Sequence, residues 1–434
     1  MSISDSLTRR QLLKALGQIS AVSALGYGAN VFSKQSSAGR VVVVGGGFGG
    51  ATAAKYLKRR NSAIEVTLIE PAPQFYTCPF SNLYLGGLRD YDSQTHGFDE
   101  LKSLGVQVIQ GYAQDVDGVE KIVKLADGQT IRYDKLVLSP GIDIKWNALA
   151  GYDQAAAQRA PHAWKAGEQT LLLKRQLEAM PDGGLFVMVA PANPYRCPPG
   201  PYERASMVAH YLKTHKPKSK ILILDAKNNF SKQTLFMDGW KRFYGDMIEW
   251  VPAGKDGNVI RVDASRLSVQ TEFNVTHQAD VLNVIPPQSA GMIAQRAGVT
   301  NGSGWVPVKP DTFESSMVPD IYVVGDATIA APMPKSGFCA NAQAKVAAAA
   351  IVNALAGKDA PQASWANTCY SLIAPDYGIS VAGVYRVDEG KIIEIKGSGG
   401  VSPRDANDNI RKLEADYGVA WYNAIAQDTW GTKV

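Results

Sequence analysis

The stretch Arg40-Val-Val-Val-Val-Gly-Gly-Gly-Phe-Gly-Gly-Ala-Thr-Ala-Ala-Lys-Tyr-Leu57 decides the fold. Its β-branched run predicts a short strand that is buried in a parallel sheet, because such strands are apolar on both faces. Gly45, Gly47 and Gly50 follow at once and open a helix-forming segment. Glycines allow a tight turn and a close approach to a pyrophosphate, which the helix N-terminus stabilises.

A second apolar strand is predicted at Val66-Thr-Leu-Ile69, and it ends in Glu70. An acid about twenty residues after the last glycine accepts hydrogen bonds from a ribose 2′-hydroxyl. The glycine pattern alone is weak, but the order strand, glycines, helix, strand, acid is specific. The segment from Arg40 to Glu70 therefore predicts a dinucleotide-binding unit.

Two later segments favour FAD over NAD at this unit. Lys135-Leu-Val-Leu-Ser-Pro-Gly141 and Ile321-Tyr-Val-Val-Gly-Asp-Ala327 resemble the second and third signatures of flavoproteins with two dinucleotide domains. That resemblance implies that Gly325 and Asp326 bind the cofactor, with the carboxylate on a flavin ribityl hydroxyl. A helix N-terminus is expected to face the isoalloxazine ring.

A second unit of the same kind follows, but it lacks glycines. The order is strand (184–190), helix (202–213) and strand (220–224), with Asp225 at the end. The turn between the first strand and the helix is Pro191-Ala-Asn-Pro-Tyr-Arg-Cys-Pro-Pro-Gly200. Prolines have no N–H groups with which to hold a pyrophosphate. We therefore expect that the reductant is not a nicotinamide.

The predicted fold class is α/β, with two Rossmann-like dinucleotide-binding domains and a C-terminal α+β domain. The length of 434 residues is too great for one compact core. The predicted segments are a signal at 1–37, a discontinuous FAD domain at 38–148 and 288–360, a second Rossmann-like domain at 149–287 and an interface domain at 361–434.

The N-terminus predicts export. Thr8-Arg-Arg-Gln-Leu-Leu-Lys14 is typical of a twin-arginine signal, a route that carries proteins already folded around a cofactor. A short basic amphipathic helix is the alternative. Without this segment the net charge falls from +5 to about +2, which argues against nucleic-acid binding. No run of 18 apolar residues predicts a transmembrane helix. We expect a periplasmic protein.

The chain has four cysteines, at positions 78, 197, 339 and 369. An even number in an exported protein is compatible with two structural disulfides. The spacing fits no zinc site, and we expect no metal site. There is no Cys-x-x-Cys-His motif either, so any c-type haem is expected on a partner chain.

Four cysteine-containing or neighbouring motifs carry a resemblance to one family. These are Phe75-Tyr-Thr-Cys78, Arg196-Cys-Pro-Pro-Gly-Pro-Tyr-Glu-Arg-Ala205, Pro332-Met-Pro-Lys-Ser-Gly337 and Asn367-Thr-Cys-Tyr-Ser371. From about residue 40 onward, the chain resembles the flavoprotein subunit of flavocytochrome c sulfide dehydrogenase. The resemblance implies a thioether from Cys78 to the flavin, a redox-active disulfide between Cys197 and Cys369, and Glu203 as a nearby base.

The same resemblance implies hydrosulfide as substrate and a c-type cytochrome as partner in a heterodimer. Hydrosulfide would attack the disulfide, leaving a persulfide on Cys197 and a thiolate on Cys369. Lys335 and Arg204 are candidates for the positive setting that a thiolate needs, and Lys335 is also expected to bind the cofactor. Glu203 is alternatively a solvated helix residue.

Cys339 departs from the family pattern. It is expected to be a buried, inert thiol, with pairing to Cys197 as the alternative. The sequence leaves open whether the C-terminal aromatic residues belong to the core or to an interface, and these are Trp421, Tyr422 and Trp430.

Three other functions compete with this one. A sulfide:quinone reductase shares the cysteine chemistry but needs a membrane-dipping surface, and 361–434 predicts no apolar amphipathic helix pair. A type-II NADH dehydrogenase is disfavoured by the proline-rich turn. A non-catalytic flavoprotein would activate a sulfur-oxidising partner by thiol–disulfide exchange.

Overall fold

The computed structural model describes residues 37–431, so the predicted twin-arginine signal at 1–37 lies outside the described part except for its last residue. The first segment contains the elements β1 Arg40–Val44, α1 Phe48–Arg60, β2 Glu65–Glu70, β3 Phe75–Tyr76, α2 Ser81–Leu85, β4 Thr95–His96, α3 Asp99–Ser103, β5 Val106–Gln110, β6 Ala113–Asp117, β7 Ile122–Leu125, β8 Thr130–Arg132, β9 Lys135–Leu138 and β10 Ile142–Ile144.

The middle segment contains a second set of alternating strands and helices. They are α4 Glu168–Ala179, β11 Leu185–Ala190, α5 Gly200–His215, β12 Lys220–Asp225, α6 Gln233–Tyr244, β13 Ile248–Val251, β14 Val259–Asp263, β15 Ser268–Thr271, β16 Thr276–Gln278 and β17 Val281–Val284.

The last segment completes the first domain and adds a C-terminal unit. Its elements are β18 Gln288–Ala290, α7 Met292–Arg296, β19 Val306–Pro307, β20 Ile321–Val323, β21 Thr328–Ile329, α8 Gly337–Leu355, β22 Ser364–Ala374, β23 Tyr377–Asp388, β24 Lys391–Glu394, β25 Gly400–Val401 and α9 Asp408–Trp430. Short 3₁₀ turns lie at Tyr91–Gln94, Ala156–Gln158 and Ala253–Lys255.

The first sheet is parallel and has the order β20-β9-β1-β2-β5. Its central strand β1 is buried on both faces, as its valine run predicted. Val41 and Val43 pack in one apolar cluster with α1 and α8, and Val42 and Val44 pack in another with the β6–β8 sheet. Strand β20 comes from far along the chain, so this domain is discontinuous as expected.

The second sheet is also parallel, with the order β13-β12-β11-β17. Strands β10 and β18 pair antiparallel where the chain leaves and re-enters the first domain. The C-terminal unit is a long β22–β23 hairpin, extended by β24 and β25, on which α9 packs. The predicted fold class is confirmed, while the domain boundaries given above stay predictions.

In residues 37–431, α8 is the one helix whose length and apolar composition would let it cross a membrane. However, 56% of this apolar stretch is buried inside the protein, and α8 packs on α1. Its apolar character is accounted for by the core of the first domain.

Candidate functional site

A cavity of about 470 Å³ lies at the carboxyl ends of the first sheet. Of the residues predicted to bind the cofactor, six line it: Gly45, Gly47, Glu70, Cys78, Gly325 and Asp326. Residues from β1, β2, the turn after β9 and the turn after β20 meet here, because parallel strands end at the same edge of a sheet. The cavity is the candidate cofactor site.

The glycine turn is needed for steric reasons. Gly45 has φ +99°, and a Cβ on it would lie 2.3 Å from the Ser139 carbonyl oxygen. A Cβ on Gly50 would lie 1.8 Å from the Gly45 carbonyl oxygen. Gly50 is not among the cavity-lining residues. Its role is to let α1 pack against the turn.

Glu70 ends β2 beside this turn and is 9% exposed. Its carboxylate accepts the Gly46 N–H at 2.7 Å and the Ala72 N–H at 3.1 Å. Burial raises the pKa of Glu70, and these two hydrogen bonds oppose that effect. The Glu70 carboxylate is therefore held at the rim of the cavity. The sequence predicted that this acid binds a ribose hydroxyl.

Asp326 offers the clearest test of whether FAD fits. Its Oδ1 is buried and has no hydrogen-bond partner, while burial raises the pKa of the carboxyl group. A buried oxygen without a partner is costly, and a ribityl hydroxyl would satisfy it. Helix α8 begins beside it, with Gly337 and Ala340 lining the cavity. The residues present fit the ribityl and ring portions of FAD.

Lys335 does not line the cavity. Its ammonium donates to the carbonyl oxygens of Asp326 and Thr328, at 2.8 and 2.7 Å, and lies 3.8 Å from the centre of the Trp305 ring. Burial lowers its pKa to about 8. Arg196 and Lys165 are the basic residues on the cavity wall. The cofactor role of Lys335 stays a prediction.

The structure brings Cys78, Cys197 and Cys369 into one region. Cys78 lines the cavity and donates from Sγ to the Trp164 carbonyl oxygen at 3.2 Å. Cys197 precedes α5 in the left-handed region (φ +58°), and its N–H donates to the Lys335 carbonyl oxygen at 2.8 Å. Cys369 lies in β22. The predicted redox cysteines thus come from distant segments.

Cys197 and Cys369 lie close enough for their charges to interact. Burial raises the pKa of both Cys197 and Cys369, and repulsion between the two thiolates raises that of Cys197 further. All four cysteines carry free thiols in the structure. The Cys197–Cys369 disulfide and the Cys78 thioether therefore stay predictions.

Cys339 is the third residue of α8 and is 1% exposed. Its N–H donates to the hydroxyl of the capping residue Ser336, and its Sγ donates to Asn367 Oδ1 at 3.4 Å. Burial raises its pKa to about 12. Burial and a raised pKa are what an inert thiol has.

Glu203, on α5, is a partly buried residue whose carboxylate is held by two hydrogen bonds. It accepts from Asn82 Nδ2 at 2.9 Å and from the Leu372 N–H at 3.0 Å. Burial raises its pKa, and the hydrogen bonds and Lys232 oppose that effect. The structure does not place it on a solvated helix face. Its hydrogen bond with the backbone of β22 at Leu372 brings it near Cys369.

Two buried cations face the cysteines. Arg204 is 1% exposed and donates to Asn82, Asn283 and the carbonyl oxygens of His162 and Ala163. Lys232 is 7% exposed and donates to the Cys369 carbonyl oxygen and to Ser371. Sequence reasoning named Arg204 and missed Lys232. A lysine in a loop thirty-five residues after Cys197 gives no signal of this contact.

In the second Rossmann-like unit, the acid at the end of β12 is paired with groups of the protein itself. Asp225, at the end of β12, accepts from Tyr202 at 2.6 Å and from Trp250 at 3.0 Å, and pairs with Lys227 at 2.6 Å. The Tyr202 and Phe230 rings stack with centroids 3.5 Å apart. The acid is already satisfied by the protein, which agrees with the loss of the glycine turn.

Comparisons with known proteins match three parts of the chain. Residues 170–286 match the family "Sulfide dehydrogenase [flavocytochrome c] flavoprotein chain, central" and 361–430 match "Flavocytochrome c sulphide dehydrogenase, flavin-binding". Residues 39–175 match the pyridine nucleotide-disulphide oxidoreductase family. A 43-residue stretch is 67% identical to the sulfide dehydrogenase [flavocytochrome c] flavoprotein chain of Chlorobaculum thiosulfatiphilum, covering 10% of this chain and 90% of that sequence.

The chain belongs to the flavocytochrome c sulfide dehydrogenase flavoprotein family. This flavoprotein is also 27% identical to the mitochondrial sulfide:quinone oxidoreductase of Mus musculus over 306 residues, which span 66% of this chain and 65% of the mouse protein. The chain thus spans just under two thirds of that relative's length. The structure of the sulfide:quinone oxidoreductase from Aquifex aeolicus shares the fold, with TM-score 0.70, 20% identity, and coverage of 90% and 92% of the two chains.

Proposed function

We propose that this flavoprotein oxidises hydrosulfide through a Cys197–Cys369 disulfide and passes the electrons through FAD to a c-type cytochrome. The observation that carries the proposal is the convergence of Cys197, Cys369 and Glu203 beside the cavity that Cys78 lines. The family match and the sulfide-oxidising names of the relatives support the same substrate.

The sulfur chemistry begins at the disulfide. Hydrosulfide attacks Cys197 Sγ, the Cys197–Cys369 bond breaks, and Cys369 leaves as a thiolate while Cys197 carries a persulfide. The persulfide then loses its proton, and the pair loses two electrons. The product is a trisulfide in which the added sulfur bridges Cys197 and Cys369. Glu203 lies nearby, partly buried, and is the proposed acceptor of that proton. Bound FAD would accept two electrons and release them singly.

Residues of the first domain hold the cofactor in this proposal. Gly45 and Gly47 approach the pyrophosphate, Glu70 holds the ribose, and Gly325 and Asp326 hold the ribityl chain. Cys78 forms the thioether, which would keep the cofactor bound outside the cytoplasm. Export of this flavoprotein by the twin-arginine route to the periplasm belongs to the same proposal.

The electron acceptor is tested by a direct competition. Purified protein is mixed anaerobically with sulfide and either a soluble c-type cytochrome or a short-chain ubiquinone. Cytochrome reduction that depends on sulfide supports the proposal, and quinone reduction alone contradicts it. Quinone is a serious second candidate because the mouse relative carries that name and matches two thirds of this chain. A haem stain of proteins that co-purify from the source tests the heterodimer.

A further inference from the structure

Lys232 is a buried lysine that forms no ion pair within 4.0 Å among the described residues, although the Glu203 carboxylate is close enough for their charges to interact. Its ammonium donates to Ser371 Oγ at 2.8 Å and to the Cys369 carbonyl oxygen at 3.1 Å, and it lies 5.9 Å from the centre of the Phe236 ring. It takes part in no ion pair within the described part of the chain, residues 37–431. A buried charge is costly unless it is paired, so a partner that forms only in another state of the protein would explain it.

The backbone at Lys232 supports a dedicated position. The residue precedes α6 with φ +60° and ψ 26°, in the left-handed region. Left-handed conformations of residues other than glycine cost free energy and concentrate at functional sites. In this conformation the Lys232 side chain reaches the segment from Cys369 to Ser371.

We propose that Lys232 is a positioning residue that stabilises the Cys369 thiolate whenever the Cys197–Cys369 disulfide is open. The inference rests on the proposed function, since it assumes that this disulfide exists. The closed disulfide is neutral, and its opening creates an anion beside the ammonium, in addition to the more distant charge of Glu203. Lys232 thereby makes Cys369 the leaving sulfur, because a stabilised thiolate leaves faster. The attacking hydrosulfide then forms its new bond to Cys197.

The charged and titratable groups around Cys369 agree with this assignment. Among the groups that act on Cys369, Lys232 is the cation, and it lowers the pKa that burial raises. Glu203, from α5, opposes Lys232, and the Ser371 hydroxyl assists it. Cys197 and Cys339 are the neighbouring thiols. Arg204 instead acts on Cys78 and Cys197.

Attack by hydrosulfide on the disulfide leaves Cys369 as an anion, and reduction of the disulfide with two electrons and two protons leaves two thiols that can ionise. Burial raises the pKa of Cys369, and the Lys232 ammonium opposes that rise. Removal of the ammonium should therefore raise the pKa of Cys369 further and lower the fraction of thiolate at a given pH. The pH dependence of Cys369 alkylation is therefore the physical signature of Lys232.

The test measures alkylation of Cys369 in the full-length holoprotein. The protein is reduced anaerobically with dithiothreitol, desalted, and treated with iodoacetamide at pH 5 to 10, and the labelled peptides are quantified by mass spectrometry. The variants are Lys232→Met, Lys232→Gln and Lys232→Arg. Lys216→Met is the matched control, because Lys216 is also a buried lysine that donates to backbone carbonyls, those of Leu177, Glu178 and Met180.

Both neutral variants should move the midpoint of Cys369 alkylation upward by about one pH unit, which slows labelling at pH 7 about tenfold. Lys232→Arg and Lys216→Met should keep the wild-type profile. An unchanged Cys369 profile in whichever neutral variant folds overturns the role of Lys232. The unreduced wild type separately tests the proposed function. If Cys197 and Cys369 are both alkylated without reductant, the disulfide is absent and the sulfide chemistry fails.

Discussion

Trp430, at the end of α9, donates its indole N–H to the carbonyl oxygen of Gly46 at 3.0 Å. The two residues are 384 positions apart, and this bond ties the C-terminal helix to the glycine turn of the candidate cofactor site. The Trp430 ring is 3% exposed and stacks on Phe75 and His96, with centroids 5.4 and 4.4 Å away. The C-terminal unit thus supports the turn that should hold the pyrophosphate.

Trp430→Phe should keep most of the stacking but lose this hydrogen bond. Because the Gly46 carbonyl is left without its buried donor, the free energy of unfolding should fall by about 1–3 kcal/mol. Urea denaturation of the holoprotein measures it. Trp421→Phe is the control, since the Trp421 Nε1 is buried without a partner and no hydrogen bond is lost. Equal losses in both variants would show that the Gly46 contact contributes nothing.

The stability of the protein should depend on pH through His96. Burial, together with the nearby charge of Arg89, lowers the pKa of His96 to about 4. In the unfolded chain, His96 therefore takes up a proton near pH 6.5, whereas in the folded chain it does so only near pH 4. The free energy of unfolding should fall as the pH decreases through this window. His96→Phe should remove that part of the slope in urea titrations from pH 7 to 4, and parallel curves would contradict it.

Part of the site was predictable because its signals are local. Strand β1, the turn from Gly45 to Gly50 and Glu70 are coded within thirty residues, so periodicity and glycine spacing suffice. The missing glycines of the second unit predicted that the reductant is not a nicotinamide, and this stays a prediction. These features depend on short-range backbone geometry.

The remaining features depend on contacts between distant segments. Lys232 meets Cys369, and Asn82 meets Glu203, across gaps that no single-sequence pattern encodes. Tyr422 and Trp430 were open to assignment as core or interface, and both are buried in the core. Helix α9 was not predicted, because its buried positions include the polar residues Arg411, Glu414 and Thr429 and so form no apolar stripe.

The thioether predicts how the flavin behaves on acid precipitation. In wild type the yellow colour should stay with the pellet, and in Cys78→Ser it should move into the supernatant. Cys339→Ala is the control, since that buried thiol on α8 should not bond to the flavin. A yellow wild-type supernatant would contradict covalent attachment, and the absorbance of pellet and supernatant at the flavin band is the measurement.

Glu203→Gln should slow the reduction of the flavin by sulfide, by about 10²-fold, because a general base of this kind contributes at least that much. Burial raises the pKa of Glu203, so the wild-type rate should rise as the pH increases through that pKa, and the variant should lack this limb. Stopped-flow absorbance between pH 5 and 9 measures both effects. Glu178→Gln, an exposed residue of α4, should behave as wild type.

The most direct test of sulfide oxidation is anaerobic addition of sulfide to the purified flavoprotein while the flavin absorbance is followed. Stoichiometric sulfide should bleach the band in wild type, Cys197→Ala and Cys369→Ala should stay oxidised, and NADH should bleach none of them. Dithionite should bleach all three proteins, which shows that the flavin is reducible. If sulfide leaves the wild-type band unchanged while dithionite bleaches it, the protein is not a sulfide dehydrogenase.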